Sequence, residues 1–520
     1  MKLANTDTPG GKSQEFFSRD MVLAVPWTLL GKAAQFVVYF LISVVLVRQL
    51  GPDQYGLLKA CEVIGTWLVI LCELGLNTSL IRFVPELIVR RSRAGLVRLI
   101  SRIAFMQLGM LVLASFVLHF LNPQIDTWYF KSDAGYLLSV TVGVFGFRLL
   151  RALIEDTLTS LYCARFASLL GICAGFLWLA LVLIVLDRYG TALAALAIQA
   201  AIAALFALCG GLKVASILKA FPRDGSSYGV GKRRVLFMGL STMVNAAGLI
   251  FLRQYSELFF LSICFSPTLA GIYGLGCETP LMVIGFVPMA LQTLFIAGFA
   301  EAYSRDEACL GRLTAAFYRM LILAVVPFAA FGVFFSGRGI ELIYGAEMKD
   351  AGPIAATFCV LHLLSTIWTP LSMAIVAKEK VPSMLWLTVL QVIINIIFDV
   401  TLIPRWGMYG AAAAVFLTFA VAAPIQLYAI KRIVGGIYFP GWFFVKISVP
   451  LVILAAVLSP LAPHLNVVTL FALGGGYLAA FPVLIRVLRL IHEDEVSEIR
   501  ALNIHKLNRV MDFFVRPAQA

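Results

Sequence analysis

Of 520 residues, 61% are hydrophobic and only 13% charged, and the mean hydropathy is +0.93. Water-soluble domains carry about 45–50% apolar and about 25% charged residues, so an aqueous globule is excluded and the chain needs lipid around it. The 41 glycines and 21 prolines fit neither collagen nor a disordered polymer, and the nine cysteines include no CxxC pair and no Cys/His cluster, so neither a disulfide framework nor a zinc site is supported.

The elements follow in chain order. The first 25 residues are too polar for a cleavable signal sequence, which leaves the first apolar run in the protein as a helix. A helix crosses the hydrocarbon layer with about 20 mostly apolar residues. Fourteen such runs are present, near 27–48, 56–79, 103–121, 137–157, 166–186, 191–212, 236–263, 269–298, 314–335, 352–375, 383–403, 408–430, 442–460 and 467–485. They are unbroken rather than alternating, so the expected fold is all-α and polytopic, not a barrel.

Basic residues crowd into alternate loops. Arg82, Arg90, Arg91, Arg93, Arg98 and Arg102 lie in one, and Lys213, Lys219, Arg223, Lys232, Arg233 and Arg234 in another. By the positive-inside rule these loops and both termini are cytoplasmic. The net charge of +13 is therefore mainly a topology signal, and no nucleic-acid partner is expected.

The chain also resembles itself. GPDQYGLLKACE after the first run is matched by SPTLAGIYGLGCE after the seventh, pairing Pro52 with Pro267, Gly56 with Gly271 and Glu86 with Glu301 at an offset of 215. DRYGTALAA and PRWGMYGAA pair Arg188 with Arg405, Tyr189 with Trp406 and Gly190 with Gly407 at an offset of 217. This shift spans six crossings, an even number, so the two halves share one orientation and their pseudo-two-fold axis runs along the membrane normal. The expected organisation is a cytoplasmic tail (1–26), an N-terminal six-helix bundle (27–212), a linker (213–235), a C-terminal six-helix bundle (236–432), an added helix pair (433–487) and a cytoplasmic tail (488–520).

The stretch LGPDQYGLLKACEVIGTWLVILCELGLNTSLIRFVPE (50–86) resembles the N-terminal signature of the polysaccharide-unit flippases. These belong to the superfamily that also holds the multidrug and toxic compound extrusion (MATE) exporters and the lipid II flippase. ELFFLSICFSPTLAGIYGLG (257–276), ELIYGAEMKDAGPI (341–354) and NIIFDVTLIPRWGMYGAAAA (395–414) resemble later blocks of that family in the same order. The resemblance covers roughly 20–432 and implies a central cavity between the bundles. It also implies export of an isoprenoid-diphosphate-linked oligosaccharide across an inner (plasma) membrane, beside other polysaccharide-assembly proteins. The added helix pair is similar to one that borders a lipid-tail groove in the lipid II flippase.

Ionisable groups inside spans are costly and so are functional candidates. Arg148 and Arg151 lie on one face of the fourth run with Glu155, and Arg151 can pair with Glu155 four residues on. Arg148 has no acid within one turn. Arg253 and Glu257 are likewise four apart, and the repeat places them opposite Val38 and Ile42, which carry no charge. Lys32 and Lys59 sit about one turn inside their spans, where a long stem can reach the interface. The resemblance gives Lys32 a place on the cavity wall. Lys32, Arg148, Arg151 and Arg253 would make a cationic cavity, suited to bidentate capture of a diphosphate. Glu257, Glu62 and Asp399 are the candidates for a coupling H⁺ or Na⁺; Asp399, near a span end, can simply reach water.

No catalytic residue and no cofactor is expected, and no GxxxxGK[ST] loop is present for ATP. Two rival readings stand: a cation-coupled drug exporter of the same fold, and a membrane glycosyltransferase or polymerase. The second lacks the external domain, paired His or DxD motif such enzymes use.

Overall fold

A computed structural model describes residues 19–491, apart from 90–91, 132–133, 222–229, 306, 367, 379, 381–384, 437 and 489. Of residues 19–32, 241, 245, 249, 253–254, 287, 289–298, 300–305, 307–310 and 376–377 it describes the backbone alone. The expected C-terminal tail, from 492 on, and residues 1–18 of the N-terminal one therefore lie outside the described residues.

Fifteen α-helices are described, with no strand among the described residues. The N-terminal half holds α1 (Arg19–Glu73), α2 (Leu76–Val89), α3 (Arg93–Ile125), α4 (Tyr136–Ser160), α5 (Ala164–Tyr189) and α6 (Ala192–Ala220). The C-terminal half holds α7 (Lys232–Ile250), α8 (Ser256–Cys264), α9 (Pro267–Arg305), α10 (Glu307–Tyr344), α11 (Ala351–Ser365), α12 (Trp368–Ala377) and α13 (Leu385–Val434). The added pair is α14 (Gly441–Leu458) and α15 (Val467–Val487).

Eleven helical stretches among the described residues are long and apolar enough to cross a membrane. Two of the longest, Ala33–Glu73 and Leu385–Val434, each contain two of the fourteen sequence runs, and each is interrupted by one glycine. Gly51 (φ 68°) and Gly407 (φ 55°) take the left-handed backbone that other residues adopt only with strain. At the second bend the chain doubles back so tightly that a Cβ on Gly410 would lie 2.3 Å from the Leu402 carbonyl oxygen. The seventh run is also interrupted: five residues of π-helix, Phe251–Tyr255, join α7 to α8.

The outer surface is oily. In the most apolar stretch of α3 only 11% of residues are buried, and Phe105, Leu108, Val112, Phe116 and Phe120 all face outward. Such a face is stable only against hydrocarbon. The protein is a multi-pass membrane protein. Its helix ends fall into a basic end, which carries Arg82, Arg98, Arg102 and Lys213, and an opposite end at Gly51 and Gly407.

The halves meet at α1 and α9 near the opposite end. A Cβ on Gly56 would fall 2.4 Å from the Pro267 carbonyl oxygen, and one on Gly271 would fall 2.7 Å from the Gly56 Cα. Only two glycines permit this crossing, and they are the pair matched in the repeat. Thr268 Oγ1 donates to Asp53 Oδ1 at 2.7 Å, and the Arg48 guanidinium donates to the carbonyls of Leu342 and Ile343 at 2.6 and 2.7 Å. At the basic end α2 and α7 touch, with a Cβ on Gly75 only 2.2 Å from the Gly239 carbonyl oxygen. The added pair docks on α10: Arg338 donates to the Leu465 carbonyl at 2.8 Å, and the Tyr477 ring lies 5.4 Å from that of Phe331.

Candidate functional site: a chamber between the halves

Between the halves lies a chamber of about 1120 Å³. Both arms of α1 line it, Ile42 and Leu46 from the first and Tyr55, Leu58, Lys59 and Glu62 from the second. Further wall comes from α4, α6, α9, α11 and α12. Its narrow part sits under the glycine crossing, where Ile42, Leu46, Tyr55 and Leu58 are buried. Towards the basic end its wall carries Arg148 and Glu155, which are exposed.

Arg148 is positioned by packing that starts from a glycine. Gly65 lacks a Cβ, so the Phe145 ring lies where that atom would be, 2.2 Å away. The Arg148 guanidinium carbon in turn stacks 4.5 Å from the centre of the Phe145 ring. Among the described residues Arg148 makes no ion pair. A guanidinium on an aromatic face keeps its in-plane N–H donors free for an anion. Arg151 stacks 4.6 Å from the centre of the Phe206 ring and lies 3.8 Å from Glu155, the pairing expected from the i,i+4 spacing.

Lys59 differs from its sequence expectation. Its ammonium does not reach for the interface; it is 9% exposed and bound on three sides. Nζ donates to Glu62 Oε2 at 2.9 Å and to both oxygens of Glu278 at 2.8 Å, and it lies 5.5 Å from the Tyr55 ring centre. Gln199 Nε2 donates to the other Glu62 oxygen at 3.1 Å. The physical reason is that α9 crosses α1 here and brings a carboxylate that hydropathy cannot foresee. A signal did exist: Glu62 and Glu278 are 216 apart, so the repeat brings two carboxylates to one place.

The described lining carries three cations (Lys59, Arg148, Arg151) and three carboxylates (Glu62, Glu155, Glu278), a formal balance of zero. The side chains of Lys32 and Arg253, the other two nominated cations, lie outside the described residues, and so does the Arg253–Glu257 pairing.

Glu257 and Asp399 lie away from the chamber wall, inside the C-terminal half, and are brought together by α8 packing on α13. Asp399 does not reach water as its place near a span end allowed. It is fully buried, because the bend at Gly407 folds the end of its helix under α8 and α9, where Phe265 and Leu269 cover the turn. Asn395 Nδ2 donates to Glu257 Oε1 at 3.2 Å, and Ser256 Oγ donates to Asn395 Oδ1 at 3.0 Å. The hydroxyl of Thr418 is 3.5 Å from Asn395 Nδ2. Among the described residues Glu257 Oε2 and both Asp399 oxygens have no hydrogen-bond partner. Buried polar atoms are nearly always satisfied, so three acid oxygens without a described partner, beside an amide and two hydroxyls, set this cluster apart from the rest of the core. Among the described residues no group of three or more His, Cys, Asp or Glu is arranged for a metal ion.

Residues 24–296 match the family model for polysaccharide biosynthesis proteins, and the chain belongs to that family. No curated protein matches the sequence. Among solved structures, the lipid II flippase MurJ in an inward closed conformation superposes with a TM-score of 0.67 at 15% identity, covering 89% of this chain and 99% of that one. An inward-facing multidrug resistance MATE transporter of the MOP superfamily gives 0.57 at 17%, covering 77% and 95%. A MOP-superfamily transporter from Pyrococcus furiosus gives 0.53 at 15%, covering 80% and 96%. These likenesses establish the fold, which is MATE-like.

Proposed function

We propose that this polysaccharide biosynthesis protein is a flippase, moving an isoprenoid-diphosphate-linked oligosaccharide from the cytoplasmic to the external leaflet of an inner (plasma) membrane. The basic end and both termini are cytoplasmic in this reading, following the positive-inside rule. The sugar-diphosphate head enters the chamber while the tail stays in lipid, and the halves rock about the glycine crossing to expose the head on either side. No bond is made or broken.

The observation that carries the reading is Arg148. A guanidinium held on an aromatic face in a chamber of about 1120 Å³, with no acid partner among the described residues, is poised for an anionic head group. Arg151, Lys32 and Arg253 are the further contacts in this reading. The coupling cation, H⁺ or Na⁺, is assigned to Glu257 and Asp399, whose orphaned oxygens need one. Glu62 is less suited, since both its oxygens are already engaged.

The test is flipping by purified protein in proteoliposomes. A fluorescent isoprenoid-diphosphate sugar is loaded in one leaflet and its appearance in the other is followed. Arg148→Ala should lower the rate about tenfold or more, the worth of one charge-assisted contact. Wild-type efflux of organic cations without any flipping would replace this reading by that of a cation-coupled drug exporter, which the carboxylates Glu62 and Glu278 in the chamber would then serve.

A further inference from the structure

Lys59 does more than bind two acids. It belongs to the N-terminal half, through α1, whereas Glu278 belongs to the C-terminal half, through α9. The bridge lies about one turn below the Gly56–Gly271 crossing, at the narrow part of the chamber. It is therefore an ion pair between two bodies at the place where they must part for the closed end to open. Parting the halves takes Glu278 from the buried ammonium, leaving its carboxylate without its cation and Lys59 with Glu62 alone, and that cost holds the halves together.

An anion that reaches the bottom of the chamber changes this balance. Its oxygens can occupy the ammonium as carboxylate oxygens do, so Lys59 stays compensated while Glu278 leaves with its own half and meets the water that enters. Such a ligand binds the parted state more tightly than the joined one, which is the condition for it to drive opening. Arg148, nearer the basic end, is the first cation that an incoming anion meets, and Lys59 the last.

We propose that Lys59 is a cargo-operated latch: diphosphate oxygens displace Glu278 from its ammonium, and loss of that inter-half bridge lets the closed end open. The proposal rests on the diphosphate reading of the chamber given above. It also separates the two acids: Glu278 is the latch partner, while Glu62, three residues along the same helix, only shapes Lys59.

The experiment uses the full chain in nanodiscs. Fluorophores are attached through unnatural amino acids at the positions of Tyr189 and Trp406, exposed residues at the closed end of either half. The probe is farnesyl diphosphate, with farnesol as the tail-only control. In the wild type, farnesyl diphosphate should lengthen the inter-dye distance and farnesol should not. Glu278→Gln should lengthen it with no ligand and bind farnesyl diphosphate about fivefold or more tightly, because a rival for Lys59 is gone. Glu62→Gln should keep the ligand-free wild-type distance. Lys59→Gln should show the long distance throughout and respond to neither probe; should it fail to fold, the isosteric Glu278→Gln carries the test.

A Glu278→Gln protein with wild-type distance and affinity overturns the latch, and the flippase reading survives provided that the wild type still binds the diphosphate. Absence of diphosphate binding in both proteins overturns the flippase reading and the displacement step together.

Discussion

The two halves share a repeat in sequence but not its chemistry. Where the C-terminal half buries Glu257, Asn395 and Asp399, the offsets of 215 and 217 place Ile42, Trp178 and Val182 in the N-terminal half. Ile42 and Val182 lie in an ordinary hydrophobic core, as expected of helices packed against one another. The three polar counterparts lie together, with acid oxygens that make no hydrogen bond among the described residues. The backbone repeat therefore does not require these acids, and burying them carries a cost that the packing of the halves does not demand. The Lys59 network at the junction shows the contrary case. Its ammonium meets three carboxylate oxygens from two acids, so every charge in it has a partner and it serves as a contact between the halves.

The largest effect that sharpens this contrast is expected from Asp399→Val, which gives the C-terminal half the residue found at the matching N-terminal place. Flipping against a gradient should fall to background, while the melting temperature in detergent should hold or rise, because no hydrogen bond is lost. A fall in melting temperature of many degrees with transport intact would make Asp399 a structural residue. Glu257→Ile, the matching change on α8, should behave differently. It strips Asn395 of an acceptor and should cost about 1–3 kcal/mol of stability besides transport. Equal stability losses for the two variants would erase the distinction between satisfied and orphaned oxygens.

Arg148→Ala comes next, with head-group affinity measured by displacement of a labelled isoprenoid diphosphate and expected to fall about tenfold or more. Arg148→Lys should restore only part of it, since an ammonium lacks the planar fork that stacks on Phe145. Gly56→Ala tests the junction itself. The added methyl carbon has backbone at 2.4 Å and should cost about 1–3 kcal/mol, read as a lowered unfolding midpoint. The smallest change is Thr268→Val, which removes the exposed bond to Asp53 and should cost about 1 kcal/mol or less by the same measurement.

Much of the fold is legible in the sequence for a simple reason: lipid is a uniform solvent, and a helix must show it apolar residues along its whole length. Among the described residues each of the fourteen runs falls mainly on helix, and Gly190 and Gly407, matched in the repeat, both take positive φ. The Arg151–Glu155 pair was legible too, because i,i+4 neighbours on a helix meet whatever surrounds them. Lys59 and Asp399 were not. Each sits where a local reading allows an escape to water, and each is instead enclosed by a helix from far along the chain.

What the sequence alone determined is the membrane solvent, the helical class and the short list of charges that need explaining, all of them properties of composition and near neighbours. Tertiary structure alone decided which charges are compensated. It set Glu278 on Lys59 across 219 residues, left Arg148 on a ring with no ion pair among the described residues, and sealed Asp399 beneath α8 and α9. Compensation depends on how helices cross, and crossing is fixed by packing contacts such as Gly56 against Gly271 rather than by the residues that carry the charge.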